Sequence, residues 1–130
     1  MRRVYVDSSA WIAVLFAEPP GRGVAAALRR FDELYSSDLL IAETLAAASR
    51  ERVAPESVLP SLGGVSLILP QRSLEPELRL ALGEGPLRGA DLWHVACALY
   101  LASGSEGELA FLSRDGAQRA VAKRLGFPTP

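Results

Sequence analysis

Short apolar runs alternate with helix-period segments along this chain, and that alternation predicts its fold class. Arg3 to Val6 is a compact β-branched and aromatic run that reads as a first strand, and Ser9 to Phe16 reads as the first helix. Pro19-Pro20-Gly21 breaks the chain before a second helix from about Gly23 to Asp32. Leu34-Tyr35-Ser36 is a short second strand, after which Ser37 or Asp38 caps a helix reaching about Arg52. Pro55 to Leu62 reads as a short helix closed by Gly63-Gly64, and Val65 to Leu69 as a third strand ended by Pro70. Ser73, with Glu75 and Glu77 behind it, starts a helix that ends near Gly83 to Gly85. Ala90 to about Ala102 is a strongly apolar helix, expected to be buried on most sides. Leu109 to Ser113 reads as a central strand and Asp115 to Leu125 as the last helix, with Gly126 at its end and a short edge strand beginning at Phe127. Strands alternating with helices predict an α/β fold: one domain over residues 1–130, with a central parallel sheet of four to five strands flanked by helices.

Four acids stand out against this frame. Asp7 ends the first strand, Asp115 follows the Leu109 to Arg114 run, and Asp91 opens the apolar helix. Glu43 sits inside Leu39-Leu40-Ile41-Ala42-Glu43-Thr44-Leu45, apolar company in which a glutamate needs a partner. Ligands of open parallel sheets bind at the carboxyl ends of the strands, so acids placed there converge although they are distant in sequence. Converging carboxylates repel unless a cation holds them, and oxygen ligands suit hard cations, so the pattern points to magnesium or manganese in a cleft. Each acid also has a local explanation: Asp7, Asp91 and Asp115 fit helix caps or first-turn acids. The four together favour a site. His94, the only histidine, reads as a core or supporting side chain and not as a zinc ligand, and Trp11 and Trp93 as packing residues.

Composition narrows the classes. A 49% hydrophobic content supplies a real core and argues against disorder. The longest apolar stretches, Ala10 to Ala17 and Val95 to Ala102, are too short to span a bilayer, and Asp7 and Glu18 interrupt any leader-like opening. The single cysteine, Cys97, cannot pair within the chain and reads as a buried reduced thiol. A cytoplasmic protein is expected. A net charge of −1 argues against a uniformly basic nucleic-acid binder. Lys123 is nevertheless the only lysine among 14 basic residues. Arginine forks suit phosphate, so Arg22, Arg29, Arg30, Arg88, Arg114 and Arg119 are candidates for an RNA path.

With these residues in view, the chain resembles PIN-domain proteins over essentially its full length, in particular the small VapC-type ribonuclease toxins. Val4-Tyr5-Val6-Asp7-Ser8-Ser9-Ala10 is similar to the family's first motif, and Glu43 falls where its next acid stands. Asp91-Leu92-Trp93-His94-Val95-Ala96 resembles the third motif, and Phe111-Leu112-Ser113-Arg114-Asp115 the closing one. The resemblance implies a ribonuclease in which Asp7, Glu43, Asp91 and Asp115 hold one or two Mg²⁺ or Mn²⁺ ions, with Ser8 and Ser113 orienting carboxylates. It implies in-line attack of water on an RNA phosphodiester, leaving a 5′-phosphate and a 3′-hydroxyl. It also implies a homodimer silenced by a protein antitoxin, for which the apolar set Trp11, Val14, Leu15, Phe16, Ala26, Leu28 and Phe31 is a candidate groove. Gly116 and the glycine- and acid-rich Ser103 to Glu108 loop depart from the pattern without touching these acids.

Two other classes compete. One is a catalytically silent PIN-like module that binds RNA or a partner; keeping four mutually repelling acids argues against it. The other is a phosphotransfer domain with Asp7 as nucleophile. Its phosphatase form needs a second Asp where Ser9 stands, and its receiver form needs an acid where Pro70-Gln71-Arg72 follow the third strand.

Overall fold

The computed structural model describes residues 1–19 and 21–130, so Pro20 of the Pro-Pro-Gly break lies outside the described residues. Four parallel strands, β1 (Arg3–Val6), β2 (Glu33–Ser37), β3 (Val65–Ile68) and β4 (Leu109–Leu112), form one sheet in the order β3-β2-β1-β4. Helices carry each crossover, as parallel strands require. Between β1 and β2 run α1 (Ser8–Leu15) and α2 (Gly21–Leu28). Between β2 and β3 run α3 (Leu39–Arg50), α4 (Pro55–Val58) and a 3₁₀ turn, Leu59–Gly64. The third crossover, α5 (Glu75–Leu82) and α6 (Gly89–Ser103), carries the chain from one sheet edge to the other. Then α7 (Gly116–Arg124) follows β4.

Side chains alternate across each strand, so the two faces acquire separate cores. Val4, Val6, Ala110 and Leu112 face α1 and α2, where Ala10, Val24 and Ala27 meet them. Tyr5, Leu109 and Phe111 face the opposite layer, packed on α5, α6 and α7 through Leu74, Val95, Ala98 and Val121. Tyr5 and Phe111 are register partners, and their rings stack with centroids 5.5 Å apart. Trp11, Val14, Leu28 and Phe31, members of the apolar set considered above, are half-buried against the α1–α2 core.

Two expectations are corrected. β4 is an edge strand, not a central one; it reads as central because all four residues are buried. The tail covers its outer edge, with Phe111 N–H donating to Pro128 O at 2.8 Å. That single bond also replaces the strand expected at Phe127, since Pro128 and Pro130 have no N–H for a ladder. At the start of α3 the Ser37 hydroxyl accepts from Leu39 N–H at 3.2 Å, while Asp38 makes no side-chain cap. Cys97 is free and buried, and among the described residues no helix is long and apolar enough to cross a membrane.

Candidate functional site

The sheet order reverses at β1: the chain moves outward through β2 and β3, then returns to the other side of β1 as β4. The crevice beyond the carboxyl ends of β1 and β4 is therefore the topological switch point, where helices on opposite faces leave room for a ligand. Asp7 follows β1, and Ser113 and Asp115 follow β4, so two strand ends deliver acids to one crevice. The backbone pins the geometry, with Asp7 N–H donating to Leu112 O at 2.9 Å.

Asp7 caps α1 and is 2% exposed. Its Oδ2 accepts from Ser9 N–H at 3.0 Å and Ser9 Oγ at 2.6 Å, with Ser113 Oγ 3.3 Å away. Its Oδ1 accepts from Gln118 Nε2 at 3.1 Å. Gln118 is wholly buried on α7, and its amide also accepts from Ser113 Oγ at 2.6 Å and donates to Asp91 O at 3.1 Å. It thus ties β1, β4 and α6 together. The sequence reading omits Gln118 and Ser9. A signal for Gln118 exists: Asp115-Gly116-Ala117-Gln118 has capping-box spacing, in which the third residue's amide faces the helix start. Ser9 bridges the two strand ends, its hydroxyl accepting from Arg114 N–H at 3.0 Å.

Glu43 lies on α3 and reaches the crevice from the β2 side. Its Oε1 accepts from Ser8 Oγ at 2.7 Å and lies 2.7 Å from His94 Nε2. These are the partners its apolar surroundings demanded. Partial burial pushes the Glu43 carboxyl up, but the hydrogen bonds from His94 and Ser8 prevail and hold it below its ordinary value. His94 is wholly buried on α6, 3.7 Å from Asp7 Oδ1, with Nδ1 2.7 Å from the Tyr5 hydroxyl.

Asp91 sits in the first turn of α6 and Asp115 caps α7, its Oδ1 accepting from Gln118 N–H at 2.8 Å. Local capping and convergence therefore coexist, since Asp7 and Asp115 do both. The Asp91 carboxyl is pushed up by partial burial and then by the charges of Asp7, Asp115 and Glu43, with His94 opposing, so Asp91 feels the other three acids. Among the described residues no three carboxylate, imidazole or thiol groups close on one point as a ready-made metal cage. The four acids offer oxygen donors only, the ligand type that suits a hard divalent cation.

Most of the candidate arginines line hollows near these strand ends. A hollow of about 340 Å³ lined by Asp91 and Asp115 also carries Arg88. Another of about 450 Å³, reaching Leu112 and Ser113, carries Arg30, Arg114 and Arg119. Arg22 lines a separate hollow with Glu18. No curated protein sequence matches this chain. Residues 4–125, from the first strand through the last helix and so including all four acids, match the PIN domain, and the chain belongs to the PIN-domain family.

Proposed function

We propose that this protein is a Mg²⁺- or Mn²⁺-dependent endoribonuclease and the toxin of a toxin–antitoxin pair, acting as a cytoplasmic homodimer. PIN domains are generally metal-dependent nuclease domains, which supplies the class. The observation that carries the reading is the delivery of Asp7 and Asp115 by β1 and β4 to the switch point, where Asp115 shares a hollow with Asp91, whose carboxyl is raised by burial and by its neighbouring acids. Such mutual repulsion has a use if a cation relieves it.

Asp7 and Asp91 are the carboxylates assigned to hold one or two ions most directly, with Glu43 and Asp115 beside them. When bound, a divalent ion supplies positive charge against the scissile phosphate and acidifies the attacking water. The chain's own residues do the positioning. Three donors fix the Asp7 carboxylate, so it meets a cation without reorganising. Ser8 and His94 both hold Oε1 of Glu43. Ser113 links Asp7 to the backbone N–H of Asp115, coupling two of the acids. Arg88 on one flank and Arg30, Arg114 and Arg119 on the other are suited to phosphates either side of the cleaved bond. The products under this reading carry 5′-phosphate and 3′-hydroxyl ends.

The test pairs metal binding with cleavage. Thermal melts of the protein and Asp91→Asn with and without about 10 mM Mn²⁺ need no knowledge of the RNA target. A dissociation constant of about 1 mM would add roughly 1.4 kcal/mol, a rise of several degrees that the variant should lack. A randomised single-stranded RNA pool is then incubated with each protein and its fragments mapped. Cleavage by the parent alone supports the reading. RNA binding without cleavage under Mg²⁺ or Mn²⁺ would instead make this a catalytically silent PIN module.

A further inference from the structure

The turn between α1 and α2 carries a carboxylate that the proposed chemistry leaves unused. Phe16 caps α1, and Ala17 then takes φ 50°, the left-handed region that an alanine adopts only at a cost. Two backbone bonds fix the residue that follows. Glu18 N–H donates to Ala13 O at 2.9 Å, and Glu18 O accepts from Gly21 N–H at 2.7 Å. The turn so formed holds the Glu18 side chain beside the end of β4, where its Oε2 lies 3.2 Å from Nη1 of Arg114.

Arg114 stands between Ser113 and Asp115, and its own N–H donates to Ser9 Oγ at 3.0 Å. The root of its side chain is therefore pinned at the switch point. That side chain lines the hollow of about 450 Å³ that lies between α2 and α7 and reaches Leu112 and Ser113. Arg30 and Arg119 line the same hollow, and among the described residues no acid does. Three guanidinium groups around one space repel one another, and an anion relieves that repulsion. Glu18 answers only one of the three, and from outside, since it lines a separate hollow with Arg22. A guanidinium has five N–H donors in a planar fork, and the contact with Glu18 uses Nη1 alone.

We propose that this hollow is a phosphate site for the RNA strand, and that Glu18 holds one of its arginines, Arg114, until a phosphodiester takes that arginine over. The phosphate in question is not the cleaved one, because none of the four acids lines this hollow. That the anion belongs to RNA rests on the function proposed above; the competition for Arg114 follows from the chain's own charges. Two partly exposed groups, at 31% and 45%, make a weak pair. A strand that fills the hollow meets three guanidinium groups and displaces a carboxylate that meets one. A strand that reaches Arg114 alone breaks the pair without that gain, so Glu18 tempers poorly seated binding.

The signature is a difference of sign. A mere clasp between the α1–α2 turn and β4 would move RNA affinity in the same direction whichever partner is removed. Under the proposal Glu18→Gln frees Arg114 and tightens binding about threefold, while Arg114→Gln weakens it by a similar factor. The probe is a fluorescein-labelled single-stranded RNA of about 12 nucleotides, read by anisotropy in EDTA so that no divalent ion permits cleavage. In the Arg114→Gln background, Glu18→Gln should change nothing. Glu106→Gln removes the same charge from an exposed position in the loop before β4, at the opposite end of the sheet. It should leave affinity within about twofold of the parent's.

Equal tightening by Glu18→Gln with and without Arg114, or by Glu106→Gln, would reduce the effect to net charge and overturn the proposal. So would a Glu18→Gln protein that binds like the parent. Arg30→Gln and Arg119→Gln should each weaken binding, and parental affinity in both would overturn the hollow as the site. The nuclease reading fails separately. The sign difference in EDTA without cleavage under Mn²⁺ supports the phosphate site and overturns the proposed function. Cleavage by a parent that shows no sign difference overturns the site alone, and no RNA binding by parent or Glu18→Gln overturns both.

Discussion

Gln118 donates from Nε2 to Asp7 Oδ1 at 3.1 Å across 111 residues of sequence, from a position with no solvent exposure. A buried amide with each of its functions partnered fixes the carboxylate it touches and also ties the end of β4 to α6. Gln118→Leu keeps the volume but strands Asp7 Oδ1 and takes one partner each from Ser113 Oγ and Asp91 O. The expected loss is about 2–4 kcal/mol, a fall in melting temperature on the order of 10 °C. Urea unfolding of the metal-free protein checks it; a loss within experimental error would mean these groups find water.

Asp91→Asn has the opposite sign in the absence of metal. Burial and three neighbouring acids raise the folded-state Asp91 pKa above its unfolded value. The folded protein then binds more protons than the unfolded one between those two values, so this residue's contribution falls as pH rises through that window, starting near pH 4. At neutral pH the metal-free Asn variant should melt about 2 °C higher than the parent, an effect kept small by solvent screening. Melting curves from pH 4 to 7 check it: the difference should be small at the acid end and full at neutral pH. A variant less stable at pH 7 would show that its first-turn position on α6 outweighs the repulsion.

How far the sequence reveals this site depends on what each residue's partners are. Asp7 and Asp115 are legible because a strand end followed by a helix start marks them locally. Glu43 is legible as an anomaly, an acid without polar neighbours on its own helix, yet its partner His94 sits 51 residues away on a helix that itself reads as core. Gln118 looks like one more polar residue of a polar helix, and only the tertiary fold turns it inward. β4 is misplaced for a related reason. Apolarity reports burial, and burial at a sheet edge here comes from the tail crossing at Pro128, which no local pattern announces. Strand order, too, is set by how the crossovers pack.

The pair Arg72–Glu77 sets a second pH dependence, remote from the acids. Arg72 approaches both carboxylate oxygens of Glu77, at 2.8 and 2.6 Å, and lies 5.2 Å from the Tyr100 ring centroid. The guanidinium holds the Glu77 carboxyl below its ordinary value. A depressed folded-state pKa contributes stability that is fully present above the unfolded value, about 4.3, and is lost as pH falls through the folded one. Glu77→Gln should therefore be less stable than the parent at pH 7, with the gap closing below about pH 4. Chemical denaturation at a series of pH values reads the gap directly, and one independent of pH would show that packing alone is at work.

Two glycines of α2 separate close packing from helix propensity. A Cβ on Gly21 would stand 2.5 Å from Ala13 O and 3.1 Å from Ala13 C, where the helix start presses on α1. Those atoms are backbone, so accommodation means moving α2 off α1, and Gly21→Ala should cost about 2 kcal/mol or more. Gly23, two residues on, is exposed and meets nothing within 4 Å. There alanine only removes unfolded-chain freedom and improves helix propensity, so Gly23→Ala should add about 0.5–1 kcal/mol. Parallel thermal melts should give shifts of opposite sign. If Gly21→Ala is neutral, the α1–α2 contact is loose enough to slide, and the shape of the crevice beside Asp7 is less rigid than its hydrogen bonds imply.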